Sequence, residues 1–133
     1  MKPDVINFGS HFMLDGYGGD MGLLNDEDNV KKVLLNVLDI TEMQELYPPV
    51  ILRVKGNDLK DPGGITGFLL VKESHISIHT FPKRRFISAD VYTCKEALPQ
   101  RHLHQLFLQN FKLVDTEINY IRRGTKYPIR DLV

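Results

Sequence analysis

Residues 74–81 read Ser-His-Ile-Ser-Ile-His-Thr-Phe, and this alternation constrains the fold more than any other feature of the chain. Successive side chains of a β-strand point to opposite faces. His75, Ser77 and His79 therefore share one face, while Ile76 and Ile78 share the other. Strands that bury a purely structural face seldom carry His, Ser and His on the same side. The pattern points to a sheet with one apolar side and one polar, working side.

The remaining runs fit around that strand. Residues 8–14 read as a first strand, ended by Gly16, Gly18 and Gly19. Between residues 26 and 38, Val30, Val33, Leu34, Val37 and Leu38 recur at helical spacing, with Asp26 or Asp28 near the start. Pro48 and Pro49 close that region. Residues 50–55 suit a strand, 57–64 a turn-rich loop, and 67–72 a short buried strand continuing into the alternating segment. Residues 86–92 alternate and read as its antiparallel neighbour. Residues 99–109 form a second helix with Leu103, Leu106 and Phe107 on one side, and 112–121 a last strand. The polar tail from Arg122 is expected to be mobile. Two helices with an antiparallel sheet make an α+β two-layer sandwich, helices on one face. The other face is then solvated or buried by another copy.

A chain of 133 residues fits one domain, spanning 1–133. Lysine plus arginine equal aspartate plus glutamate at 17 each, so no basic surplus points to nucleic acid or an anionic membrane. The apolar stretches fall short of a membrane span, and no signal-peptide core opens the sequence. A single cysteine excludes an internal disulfide and suits a reducing compartment, so a cytoplasmic protein is expected. His75 and His79 look like a spaced ligand pair, but four residues of strand separate their α-carbons by roughly 13 Å. With zinc ligands about 2 Å from the metal, that pair alone is too wide, and no metal is expected.

The segment Glu73-Ser74-His75-Ile76-Ser77-Ile78-His79-Thr80-Phe81-Pro82 resembles the self-cleavage site of the small prokaryotic S-adenosylmethionine decarboxylases. The likeness extends, in order, to Gly9-Ser10-His11 with Asp15 and Tyr17, to Gly64-Ile65-Thr66-Gly67, and to Ala89-Asp90-Val91-Tyr92-Thr93-Cys94. The resemblance implies an S-adenosylmethionine decarboxylase-like fold, dimerisation with active sites near the interface, and cleavage between Glu73 and Ser74. The products would be a β chain of residues 1–73 and an α chain of 74–133.

It also implies a mechanism. Ser74 Oγ attacks the preceding carbonyl to give an ester, β-elimination cuts the chain, and the new terminus becomes a covalent pyruvoyl group. That carbonyl forms a Schiff base with a substrate amine and accepts the electrons left by departing CO2. By the same resemblance His79 removes the Ser74 α-proton during processing, Thr66 hydrogen-bonds near the scissile carbonyl, and Cys94 returns a proton to the substrate carbon. His11 and Asp15 approach the active site. By local reading alone, Ser74 could merely start a strand, Thr66 could be a turn threonine, and Cys94 could be a small buried hydrophobe. His11 and Asp15 could likewise lie at an ordinary solvated strand end.

Two positions depart from the family pattern. Lys83 stands where a glutamate binds ribose hydroxyls, and Lys60 stands where an aromatic stacks on adenine. A site built to hydrogen-bond a group discriminates strongly when that group goes unmet. The expected activity is therefore decarboxylation in polyamine biosynthesis with the substrate switched to L-arginine or L-ornithine. S-adenosylmethionine is the alternative, and a non-catalytic regulatory homologue a lesser one. Asp15, Asp58 or Asp61 would have to offset Lys60, Lys83, Arg84 and Arg85 for a cationic substrate.

Overall fold

The computed structural model describes every residue except 1–4, 58, 59, 61 and 96. Asp58 and Asp61 therefore lie outside the described residues. The chain forms β1 (Val5–Ile6), β2 (Gly9–Tyr17), α1 (Met21–Leu24), α2 (Glu27–Thr41), β3 (Val50–Lys55), β4 (Gly63–Val71) and β5 (Ser74–Phe81). A 3-10 turn at Pro82–Arg84 leads to β6 (Phe86–Thr93), α3 (Gln100–Phe111), β7 (Asp115–Arg123) and β8 (Tyr127–Pro128). Six strands form one antiparallel sheet in the order β3-β4-β5-β6-β2-β7.

The apolar half of each alternating strand faces the helices. Ile65 and Leu69 of β4, Ile76 and Ile78 of β5, Ile87 and Val91 of β6, and Phe12 and Leu14 of β2 are all buried. Against them pack Val30, Val33, Leu34 and Val37, which recur three and four residues apart along α2 and form its inner stripe. The helix starts where Asp26 Oδ1 accepts from the backbone N–H groups of Asp28 (2.9 Å) and Asn29 (3.2 Å), satisfying two otherwise orphan donors. Leu103, Phe107 and Phe111 make the equivalent stripe on α3. Buried Asn29 ties the helical layer together, because its Nδ2 donates to the carbonyls of Leu23 (3.2 Å) and Asn110 (3.0 Å).

Four differences from the sequence reading have physical causes. The run 67–72 does not continue into the next strand: a two-residue turn at Lys72 and Glu73 separates β4 from β5, with Glu73 in the left-handed region at φ 60°. Gly64-Ile65-Thr66-Gly67 is strand rather than turn. Gly64 is required there because a β-carbon would stand 1.9 Å from the Thr80 carbonyl oxygen. The Gly18–Gly19 cluster is followed by the short helix α1, capped by Asp20 Oδ1 accepting from Leu23 N–H at 2.9 Å. Finally, the tail is not loose. Arg122 and Arg123 extend β7, and β8 pairs with β1.

The second sheet face carries no helix. It bears the exposed apolar side chains Val50, Leu52 and Val54 of β3, Leu70 of β4 and Ile121 of β7. It also bears His11, Asp15, His75, Ser77, His79 and Asp90. The two-layer α+β sandwich with helices on one side is thus the observed architecture. Replacing Gly64 with alanine forces β4 away from Thr80, and the expected loss is about 1–3 kcal/mol of stability in a denaturant titration.

Candidate active site

The turn between β4 and β5 presents Ser74 at the first position of β5, in the helix-facing phase and nearly buried. Its Oγ accepts the backbone N–H of Cys94 at 3.1 Å. Cys94 follows β6 and is partly exposed. Close approach here depends on Gly9 of β2, where a β-carbon would stand 2.0 Å from the Thr93 carbonyl oxygen. Ser10, next to it, is fully buried, and its hydroxyl donates to the Lys95 carbonyl at 3.3 Å. The structure thus links the Ser74 hydroxyl to the backbone of Cys94. Glu73, the residue before Ser74, holds a backbone conformation that costs a non-glycine residue about 1–2 kcal/mol.

At the opposite end of β5, His79 faces Thr66 across the β4–β5 ladder. Thr66 Oγ1 and His79 Nδ1 lie 3.2 Å apart, with the donor set by the imidazole tautomer. The pair lies on the open face, and His79 is exposed. Five residues separate Ser74 from His79, or about 16 Å of strand, and the odd spacing puts them on opposite faces. Within one protomer His79 and Ser74 therefore do not meet. A single protomer assembles two half-sites, Ser74 with Cys94 and Thr66 with His79.

Asp15 and His79 do come together. Both line a hollow of about 360 Å³ on the open face, with Met13, Ser77, Ser88 and Asp90. His11 shares that face, but its partner is Asp90, whose Oδ2 accepts from Nε2 at 2.6 Å. Lys83 lines a separate cleft of about 580 Å³ beside Gly64, along with Arg53 and Lys55. Arg53 is committed within it, donating to Asn25 Oδ1 at 2.6 Å and to the Asn25 carbonyl at 3.2 Å. Among the described residues, no carboxylate lines that cleft. Lys60 is exposed and is not one of its lining residues. At the outer end of β2, Tyr17 donates to Glu117, and that bond, with the nearby carboxylate charge, pushes the phenol up to about 12.

The sequence profile of the S-adenosylmethionine decarboxylase family matches residues 10–124. The chain belongs to that family. Among curated relatives, an S-adenosylmethionine decarboxylase proenzyme of Thermococcus kodakarensis is 28% identical over 122 residues, covering 91% of this chain and 80% of that protein. A proenzyme of the same description from Archaeoglobus fulgidus is 31% identical over 106 residues, 78% of this chain and 87% of its own. That of Brevibacillus brevis reaches 37% over 95 residues, 71% of this chain and 66% of the relative. The crystal structure of adenosylmethionine decarboxylase from Aquifex aeolicus superposes with a TM-score of 0.75 at 22% identity, covering 90% of this chain and 92% of that one. The shared fold is the finding there.

In this member of the S-adenosylmethionine decarboxylase family, sequence reasoning passed over Asp90. The signal was available: a carboxylate between Ser88 and Tyr92 in an alternating strand must point to the polar face, beside the histidines of β5. Arg123 was placed in a mobile tail, yet its guanidinium lies 4.3 Å from the Tyr92 ring centroid, next to His11. No helix among the described residues is long and apolar enough to cross a membrane. The backbone of Glu73 yields a direct test. In an uncleavable Ser74→Ala background, Glu73→Gly should raise stability by up to about 1 kcal/mol, because glycine adopts the left-handed region without steric cost.

Proposed function

We propose that the chain is a self-processing, pyruvoyl-dependent carboxy-lyase, cut between Glu73 and Ser74, and that its substrate is S-adenosylmethionine. The observation that carries the processing step is the Ser74 hydroxyl. It starts a strand directly after a left-handed Glu73 and is held by the Cys94 backbone at 3.1 Å. From there Oγ need only turn toward the Glu73 carbonyl to attack it. The N–H of Ser74 becomes the free amine as the ester forms, and removal of the α-proton then expels the Glu73 carboxylate. Water converts the resulting terminus to a ketone with loss of ammonia. The position fits this outcome, since a small serine-derived group at the mouth of a tight turn stays within reach of Cys94.

The pyruvoyl group supplies an electrophilic carbonyl that takes up a substrate amine and receives the electron pair freed with CO2. Cys94 sits beside that position to return a proton to the substrate carbon. His79, kept near Thr66, acts as the base for the Ser74 α-proton. The separation of about 16 Å between His79 and its own Ser74 along β5 supports its acting on the serine of a second copy. The helix-free sheet face with its exposed Leu52, Val54, Leu70 and Ile121 supports such a dimer.

The choice of substrate rests on the family and on the names its curated relatives carry. Lys83, in a cleft with Arg53 and Lys55, supports the second reading only halfway. It removes the carboxylate expected to hold ribose, but the same cations repel the guanidinium of L-arginine or the ammonium of L-ornithine. Incubation with each of the three compounds should yield decarboxylated S-adenosylmethionine as the main product; agmatine or putrescine instead would transfer the function to the switched substrate. Complementation tests the paired sites. Ser74→Ala and His79→Ala chains expressed separately should remain largely uncut, whereas coexpression should restore cleavage of the His79→Ala chain. Persistent failure of mixed dimers to cut would refute the exchange of His79 between copies.

A further inference from the structure

The open face holds a further constellation, separate from the Ser74–Cys94 and Thr66–His79 pairs. His11 of β2, His75 of β5 and Asp90 of β6 each offer one ligand atom, and these three atoms lie within 4.8 Å of one another. We propose that they bind one borderline divalent transition-metal ion of the zinc or cobalt class.

The scaffold favours this. The three residues come from adjacent central strands, and the register sets His11 and His75 on either side of Tyr92, with Asp90 two residues away along β6. A single carboxylate oxygen, Asp90 Oδ2, faces both imidazoles: it is 2.6 Å from His11 Nε2 and 3.6 Å from His75 Nε2. The other oxygen, Oδ1, accepts the hydroxyl of Ser77. An outer partner that holds one carboxylate oxygen and leaves the other free is how metal-binding carboxylates are oriented. The His75 ring is stacked on Phe68 at 5.6 Å and meets His11 edge-on at 6.1 Å, so neither imidazole position is left to chance.

Metal–nitrogen and metal–oxygen bonds near 2.0–2.2 Å place tetrahedral ligand atoms about 3.3 Å apart. The His75–Asp90 distance of 3.6 Å is already close to that value, and the His11–Asp90 contact of 2.6 Å needs to open by about 0.7 Å. Two imidazoles and one carboxylate select borderline ions over magnesium or calcium, which take oxygen ligands. One group opposes the ion. The Arg123 guanidinium donates to His11 Nδ1 at 3.5 Å, which fixes the proton on Nε2, the atom a metal would need. On binding, that proton moves to Nδ1 and Arg123 withdraws onto the Tyr92 face it already covers.

Untagged full-length protein should take up one equivalent of Co2+ per chain, with visible absorption bands of nitrogen–oxygen coordination that Zn2+ abolishes by competition. Asp90→Asn keeps an acceptor for Ser77 but should lose more than the roughly 10- to 100-fold that removal of an outer partner costs. Should that variant unfold, as judged by circular dichroism, His75→Gln provides the same comparison. Arg123→Ala, relieved of the opposing cation, should bind more tightly. Absence of saturable uptake by the natural chain would overturn the proposal. So would uptake unchanged by Asp90→Asn or His75→Gln, or weakened by Arg123→Ala.

Discussion

A two-residue turn at Lys72 and Glu73 sets the register of β4 against β5, and most of the molecule's chemistry depends on it. With Val71 opposite Ser74, Thr66 falls opposite His79 and the isoleucines of β5 fall on the helix side. A slip by one residue would turn Ile76 and Ile78 to the open face and send the histidines into the core. The burial of these isoleucines against α2 therefore holds the functional residues in place as firmly as it holds the fold. The same turn asks Glu73, a residue with a β-carbon, to adopt φ 60° directly before Ser74.

Alternation made much of this legible in the sequence. The polar phase of β5, the stripe of α2 and the cap at Asp26 follow from period and residue type, and the structure shows all three. What stayed hidden was long-range or steric. Nothing local marks Gly64 as a strand residue, because the reason is the Thr80 carbonyl of the next strand. The pairing of β8 with β1 joins segments at the two ends of the chain, beyond the reach of any periodicity. Within the site, Ser74 and Cys94 were each singled out through a resemblance; that the Cys94 backbone N–H donates to the Ser74 hydroxyl was not legible locally, because twenty residues separate them. The distance between Ser74 and His79 was implicit in their odd spacing along one strand, yet a motif read as a unit conceals it.

The sheet thus divides its labour by face and by end. One end of β5 carries Ser74, beside the close approach of Gly9 and Thr93; the other carries His79, next to Thr66. Between them, on the face without helices, Asp90 gathers His11, His75 and Ser77 into one polar cluster. The same face exposes Leu52, Leu70 and Ile121, so apolar and histidine-rich surface lie side by side on it.

The claim on which everything else rests is that Ser74 ceases to be a serine. Mass measurement of the separated fragments tests it most directly. The account predicts two pieces, of 73 and 60 residues, from the chain of 133. The second should be lighter by one ammonia than a serine-terminated peptide and should react with a carbonyl-trapping hydrazine. An unbroken chain, or a carboxy-terminal piece that begins with an intact serine, would contradict it.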